Sequence, residues 1–239
     1  MPRLAAQVPE LSVLIPAFDE ERTIAGVIRR VAELDSGWEI VVVDDGSRDG
    51  TVAAVEVLAP EVGDRLRLLR HDRNRGKGAA VRTAITASRG RFVLIQDADL
   101  EYDPVDIPKL IKPLRLGVAD AVYGSRLRGG EPQRAHLFWH YAGNRLLSLL
   151  TNVLYNTTIS DIEVGYKAFD GDLVRSLELV SDGFAFEPEI TAKLLRRPGI
   201  RLYEVPVAYY GRTYAEGKKI TWRDGLQAVR TLVRFRFSR

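Results

Sequence analysis

The sequence predicts an α/β domain built on a mostly parallel sheet with helices covering both faces. Three observations predict it. Runs rich in Val, Ile and Leu alternate with segments of helical period. These runs are continuously apolar rather than alternating, as in strands buried on both faces. Polar clusters follow three of them, at the carboxyl ends where open α/β sheets bind ligands. With 239 residues the chain can bury a sizeable core. Hydrophobic content of 46% and charged content of 28% exclude a fibrous or disordered class. The absence of cysteine excludes a disulfide framework and thiolate chemistry. The opening "MPRLAAQVPE" lacks the apolar core of a signal peptide.

In chain order, "LSVLIPA" reads as the first strand. "DEERTIAGVIRRVAEL" reads as an amphipathic helix with Ile24, Val27, Ile28 and Val31 on its apolar face. "WEIVVVDDGS" is a second strand, after which Asp49, Gly50 and Thr51 open the next helix. "RLRLLRH" is a third strand, "GKGAAVRTAITASRG" a helix closed by Gly90, and "RFVLIQDAD" a fourth strand. "ADAVYGSR" is a short strand ending in Arg126, followed by the loop "LRGGEPQR". The next segment, "AHLFWHYAGNRLLSLLTNVLYN", is apolar around much of its circumference but interrupted by Asn144 and Arg145. A membrane span needs ~20 mostly apolar residues. The segment therefore reads either as a core helix or as one lying in a membrane interface, with Trp139 and Tyr141 as anchors.

Net charge is only +3, but from Arg212 onward bases dominate: Lys218, Lys219, Arg223, Arg230, Arg234, Arg236 and Arg239 face only Glu216 and Asp224. Such an arm suits a polyanion: phosphates of a substrate, an anionic membrane, or nucleic acid. Nothing offers base readout or a stacking platform, so no nucleic-acid partner is expected. The stretch "VLIQDADLEYDP" carries Asp97, Asp99, Glu101 and Asp103 at every second position just past an apolar run. In an extended chain Asp97 and Asp99 face one side. Their repulsion would be relieved by a divalent cation, Mg²⁺ or Mn²⁺, which also binds substrate phosphates. "NRGKGAA" lacks the spacing of a phosphate loop, which excludes that kind of ATPase. The three histidines, His71, His136 and His140, read as structural.

"VLIPAFDEERTI", "VVVDDGSRDGT", "NRGKGAAVRTAI", "QDADLEYDP", "YGSR", "GYKAF", "FEPEITAKL" and "GRTYAEGKKITWRDG" occur in this order. Together they resemble family-two glycosyltransferases of the polyprenyl-phosphate (dolichyl-phosphate) sugar synthase kind. The resemblance implies a single GT-A domain over residues 11–212, after an N-terminal tail (1–10) and before a basic C-terminal arm and helix (213–239). It implies a nucleotide-sugar donor (GDP-mannose or UDP-hexose), inversion, and a polyprenyl-phosphate acceptor. Pro16, Phe18, Glu20, Val43 and Asp45 would hold the base and ribose. Asp97, Ala98 and Asp99 would form the metal and diphosphate motif, with Glu101 as a further metal ligand. Arg126 would face the transferred group or the acceptor phosphate. Arg212 and Lys218 would clamp phosphates from a mobile segment bracketed by Gly211 and Gly217, and Lys167 would assist. Some relatives carry membrane-spanning helices after this domain. The sequence read here ends at Arg239, so the expectation is a peripheral protein at the cytoplasmic face of an anionic membrane, with a separate membrane protein as a plausible partner. The alternative is transfer to a soluble glycan or a small phosphorylated acceptor.

Overall fold

The computed structural model describes residues 8–134, 138–211 and 222–237. Four parallel strands, β1 (Leu11–Ala17), β2 (Glu39–Asp44), β3 (Leu66–Arg70) and β4 (Phe92–Ile95), are joined through α1 (Ile24–Leu34), α2 (Thr51–Val62) and α3 (Lys77–Ala87). The second half adds α4 (Ile107–Arg115), β5 (Ala121–Ser125), α5 (Phe138–Tyr155), β6 (Lys167–Asp170), α6 (Gly171–Arg175), α7 (Phe186–Leu195), β7 (Leu202–Pro206) and α8 (Trp222–Phe237). The seven strands form one sheet in the order β3-β2-β1-β4-β6-β5-β7, with β6 antiparallel to both neighbours. The chain winds outward from β1 to β3, then returns to lay β4 on the other side of β1. The reversal opens a crevice at the carboxyl ends of β1 and β4, where such sheets bind ligands.

Every residue of β2, β4 and β5 is buried, and in β1 only Pro16 is partly exposed, as continuous apolar runs require. Helix α1 buries Ile24, Val27, Ile28 and Val31, the face read from its spacing. Each such side chain contributes roughly 1.5–3 kcal/mol. A second, smaller cluster unites α5, α7 and α8 through Leu147, Ala192, Ala228, Leu232 and Phe235, with Ile162 beneath them. Helix α5 thus has two characters. Leu147, Ser148 and Thr151 point inward, while Phe138, Trp139, Leu146, Leu149 and Val153 are exposed.

Two expectations need correction. Helix α3 ends at Ala87 and turns at Ser88, so Gly90 starts the approach to β4 rather than closing the helix. The chain after β4 is not extended: it turns at Ala98 and Asp99, and Leu100 adopts a left-handed φ of 59°. Pairing with β1 runs out at Leu14↔Ile95, which leaves the following residues free to bend. The positions Arg212 and Lys218, the segment proposed to move with them, and His136 lie outside the described residues.

Away from the crevice, buried Glu39 joins β1, β2 and the start of β4. It accepts from Ser12 Oγ (2.5 Å), the Arg89 amide (2.9 Å) and Arg67 Nη1 (2.8 Å). Replacing it leaves the buried Ser12 hydroxyl without its acceptor and Arg67 without its counter-charge. Glu39→Ala is expected to lower unfolding free energy in urea by about 3 kcal/mol without altering the m-value.

Candidate active site

The loops after β1 and β2 are laced together at the crevice. Asp19 N–H donates to Ser47 Oγ (2.9 Å), Arg48 N–H to Asp19 Oδ1 (2.8 Å), Glu20 N–H to Thr51 Oγ1 (2.8 Å) and Gly50 N–H to Glu21 Oε2 (2.9 Å). Asp49 accepts from the Thr51 amide at 2.9 Å, but the N-cap of α2 is Gly50, so Asp49 holds the turn that precedes the helix. Pro16 and Val43 are register partners on β1 and β2, with Val43 fully buried behind the partly exposed Pro16. Phe18 and Glu20 are half-buried beside them. A cavity of about 410 Å³ opens next to this lacing, lined by Asp44, Ser47, Arg48, His71, Arg73 and Asn74 among others. Its size and polar walls suit a nucleoside. Asp45 does not point an open carboxylate into it. Its oxygens take His71 Nδ1 (2.7 Å) and the amides of Arg75 (3.0 Å) and Gly76 (2.7 Å), while His71 Nε2 meets Thr83 Oγ1 at 2.9 Å. In this conformation Asp45 shapes the 71–76 loop that forms one wall, and His71 is structural as expected.

The acids after β4 diverge to different partners. Asp97 Oδ1 lies 2.8 Å from Lys77 Nζ. Asp99 accepts from the Glu101 amide (3.1 Å), Glu101 Oε2 from Tyr209 Oη (2.9 Å), and Asp103 from the Val105 amide (3.1 Å) with Arg30 at 3.4 Å. Ala98 is buried between the first two. Among the described residues no three Asp, Glu or His side chains form a ready-made metal cage. The donor set nevertheless fits a hard divalent ion of the Mg²⁺ or Mn²⁺ type, which takes one or two carboxylates and completes its shell with diphosphate and water. Asp99 stands at the turn itself, between Asp97, which faces Lys77, and Glu101, which accepts from Tyr209.

Beneath this turn lies a line of alternating charge. Lys77, at the start of α3, also stands 3.2 Å from Glu187 Oε1 in the first turn of α7, and the other oxygen of Glu187 pairs with Lys167 Nζ on β6. Burial disfavours the Lys77 ammonium, but Asp97 and Glu187 outweigh it and hold the pKa above its ordinary value. Lys167 is corrected here. It is fully buried and donates to the carbonyls of Ile162 and Val164 as well as to Glu187, so it presents no donor to a phosphate.

Arg126 closes the other side of the crevice. Its Nε and Nη2 form a forked pair with Asp161, both at 2.7 Å, and its amide donates to the same carboxylate at 3.0 Å. Asn144 Nδ2 on α5 adds a fourth donor to Asp161 at 2.7 Å. Asp161 is fully buried and the Arg126 side chain 18% exposed, so the guanidinium keeps an open edge. Its Cζ lies over the Tyr209 ring, 4.9 Å from the centroid, and Tyr209 packs on Tyr102 (5.2 Å), which packs on Tyr166 (4.8 Å). Tyrosines thus connect the Arg126 station to the acidic turn. The structure brings Asp97, Asp99, Glu101 and Arg126 to one crevice edge and groups Pro16, Phe18, Glu20 and Asp45 at the adjoining loops. Sequence reasoning missed Lys77, Asp161, Glu187 and Tyr209. The charged pair inside "FEPEI" at a helix start was the one available signal for Glu187.

A mostly parallel sheet with a strand-end acidic turn at its switch point defines a GT-A type of domain. Residues 12–176 match Glycosyl transferase family 2, and the chain belongs to that family. It is 28% identical over 213 residues to dodecaprenyl-phosphate galacturonate synthase of Rhizobium johnstonii, covering 87% of this chain and 61% of that protein. It is 33% identical over 202 residues to glycosyltransferase AglJ of Haloferax volcanii, covering 84% and 63% respectively. The chain therefore spans under two thirds of either relative's length. Among solved structures it resembles glucosyl-3-phosphoglycerate synthase of Mycobacterium tuberculosis, determined with Mn²⁺, UDP and phosphoglyceric acid. The TM-score is 0.73 at 23% identity, over 96% of this chain and 79% of that one, a likeness of fold.

Asp161 offers a measurable consequence. Burial would raise its carboxyl pKa, but Arg126 and its hydrogen bonds outweigh this and hold it below the usual range. A depressed native pKa contributes stability that is fully present above ~pH 4 and lost as pH falls through the native value. Asp161→Asn, which leaves Arg126 buried without its counter-charge, is expected to cost about 3 kcal/mol at pH 7. Urea titrations from pH 7 to pH 3 should show the variant losing less on acidification than the wild-type protein.

Proposed function

We propose that this chain transfers a hexosyl group, with inversion, from a nucleotide-diphosphate sugar such as GDP-mannose or a UDP-hexose to a polyprenyl phosphate. One observation carries the choice of acceptor. The inward face of α5 grips the Arg126–Asp161 station through Asn144, while its outward face is an exposed apolar row in which Trp139 is 81% exposed. Phe138, Trp139, Leu146, Leu149 and Val153 recur at helical spacing on that outward face. Helix α8 packs beside it, through Tyr155 Oη to the Leu232 carbonyl (2.8 Å), and carries exposed Arg230, Arg234 and Arg236. Apolar burial plus Lys/Arg attraction to anionic lipid, about 1 kcal/mol per basic residue near the surface, suits peripheral attachment. No helix of the described residues is long and apolar enough to cross a membrane. A lipid-linked phosphate arriving along α5 would meet Arg126 first.

The chemistry needs no general base. A phosphate monoester has its second pKa near ~6 and is largely dianionic at neutral pH, so its oxygen attacks without losing a proton. The residues' task is alignment. Arg126, fixed by Asp161 and stacked on Tyr209, would set the acceptor phosphate, and Pro16, Phe18, Glu20 and the loop shaped by Asp45 would seat the nucleoside. Mg²⁺ or Mn²⁺, held by Asp99 with Asp97 and Glu101 as further ligands, would stabilise charge on the leaving nucleoside diphosphate. Arg212 and Lys218 are proposed to add positive charge over the diphosphate, and a separate membrane protein could strengthen attachment.

Three measurements test this. Transfer in detergent should proceed with a short polyprenyl phosphate and not with 3-phosphoglycerate; the reverse preference would transfer the assignment to a soluble acceptor. Asp99→Ala should fold with an unchanged melting temperature yet lose at least about a hundredfold in turnover, as should the wild-type protein in EDTA. Undiminished activity in either case removes the metal assignment. In flotation the protein should bind anionic vesicles more strongly than neutral ones, and Trp139→Glu should weaken both; equal binding to the two vesicle types discards the electrostatic contribution.

A further inference from the structure

Glu163 sits in the segment that spans the floor between the two ends of the site. Two residues before it, Asp161 holds Arg126. Two residues after it, Gly165 lies so close to Asp97 that a Cβ there would collide with Oδ2. The peptides on either side are fixed from below, because Lys167 Nζ donates to the carbonyls of Ile162 and Val164. A buried lysine thus locks the backbone around this one side chain. Yet Oε1 of Glu163 is shielded from solvent and has no hydrogen-bond partner among the described residues. Leaving a buried carboxylate oxygen unpaired is costly, and native chains rarely tolerate it without cause.

We infer that Glu163 is a sugar-reading residue, whose carboxylate accepts hydrogen bonds from hydroxyl groups of the transferred hexosyl unit. The inference rests on the donor reading above and assigns it a subsite. The reacting carbon must lie between the diphosphate near Asp99 and the acceptor phosphate at Arg126, and Glu163 is anchored in the stretch that joins those two poles. A hexosyl group brings neutral O–H donors, which satisfy a buried carboxylate without a second full charge. Of the cations near Glu163, Lys167 is committed to Glu187 and two carbonyls, and Arg126 spends Nε and Nη2 on Asp161. Burial, then the neighbouring Glu187 charge, pushes the Glu163 carboxyl up to about 7, against the smaller attraction of Lys167 and Arg126. Hydroxyl donors would favour its charged form on binding. A site built to hydrogen-bond a particular hydroxyl discriminates strongly against sugars that lack it in the right place.

The test is calorimetric binding to the Mn²⁺-loaded protein, comparing UDP with UDP-glucose and GDP with GDP-mannose. In Glu163→Ala, affinity for the bare diphosphates should match the wild-type protein, while the preferred sugar nucleotide should bind about tenfold or more weakly. Discrimination among hexoses should fall with it. Unliganded Glu163→Gln should melt at or above the wild-type temperature, because it removes a strained buried carboxylate; a purely structural residue would lower it. Retention of the full sugar-dependent affinity in Glu163→Ala, or an equal loss for bare diphosphates, overturns the assignment while the donor reading stands. Failure of the wild-type protein to bind either nucleotide pair overturns the donor reading and this inference with it.

Discussion

The charged line Asp97–Lys77–Glu187–Lys167, half-buried at its first two members and buried at its last two, is the constraint on which the site depends. It ties together the end of β4, the start of α3, the start of α7 and the first residue of β6. Removing four charges from water is expensive, and well-packed apolar residues would often serve stability as well or better. What alternating charge supplies is position, since each carboxylate can sit only where its lysine reaches. Glu187 gains further from its place in the first turn of α7, where unpaired amides favour negative charge. The arrangement also requires close helix approach. A Cβ at Gly78 would come within 2.8 Å of Phe186 Cβ and collide with the Ser181 carbonyl. Glycine at that position lets the first turn of α3 meet the first turn of α7, which brings Lys77 to Glu187.

This line explains why acids can crowd the end of β4. Four carboxylates in seven residues would repel one another if they shared one face of an extended strand. The chain instead turns at Ala98 and Asp99, and three of the acids reach partners on other elements: Lys77 on α3, Tyr209 past β7, and Arg30 on α1. Asp99 accepts from the Glu101 amide two residues on and so holds the turn itself. The tyrosine stack then carries the same geometry across to Arg126. A change of position at either end is felt at the other through Tyr209, which hydrogen-bonds Glu101 and stacks on Arg126.

What the sequence revealed follows from what periodicity can encode. The strands β1, β2 and β4 and the buried face of α1 were legible because a doubly covered parallel sheet demands unbroken apolar runs. The acidic turn and Arg126 were legible as residues, since each closes such a run. Strand β6 was not, because four residues beginning with a lysine carry no apolar signature. Lys167 was placed by resemblance alone, and only its three buried acceptors make it a floor residue. Asp161 and Glu187 act through partners far away in sequence, which neither spacing nor composition reports. Asp45 stands where it was expected, but its oxygens turn to His71 and the 75–76 amides rather than to open space.

Helix α5 shows how an ambiguous segment carries two messages at once. Its polar interruptions argued against a membrane span, and hydropathy could go no further. In the fold, Asn144, Ser148 and Asn152 recur every four residues and so form one row along the helix. Asn144 donates to Asp161, Ser148 Oγ accepts from the Ile162 amide (3.2 Å), and Asn152 both donates to the Ile159 carbonyl (2.9 Å) and accepts from its amide (2.8 Å). The row holds the 159–162 segment by its backbone and delivers Asp161 to Arg126. Leu146, Leu149 and Val153 are then free to face outward, and they form the exposed face that includes Trp139. The breaks in hydrophobicity are therefore where the helix grips the floor of the site, and the hydrophobic remainder is what it presents to its surroundings. A chain that had to satisfy only a buried core would have had no need to separate the two so cleanly.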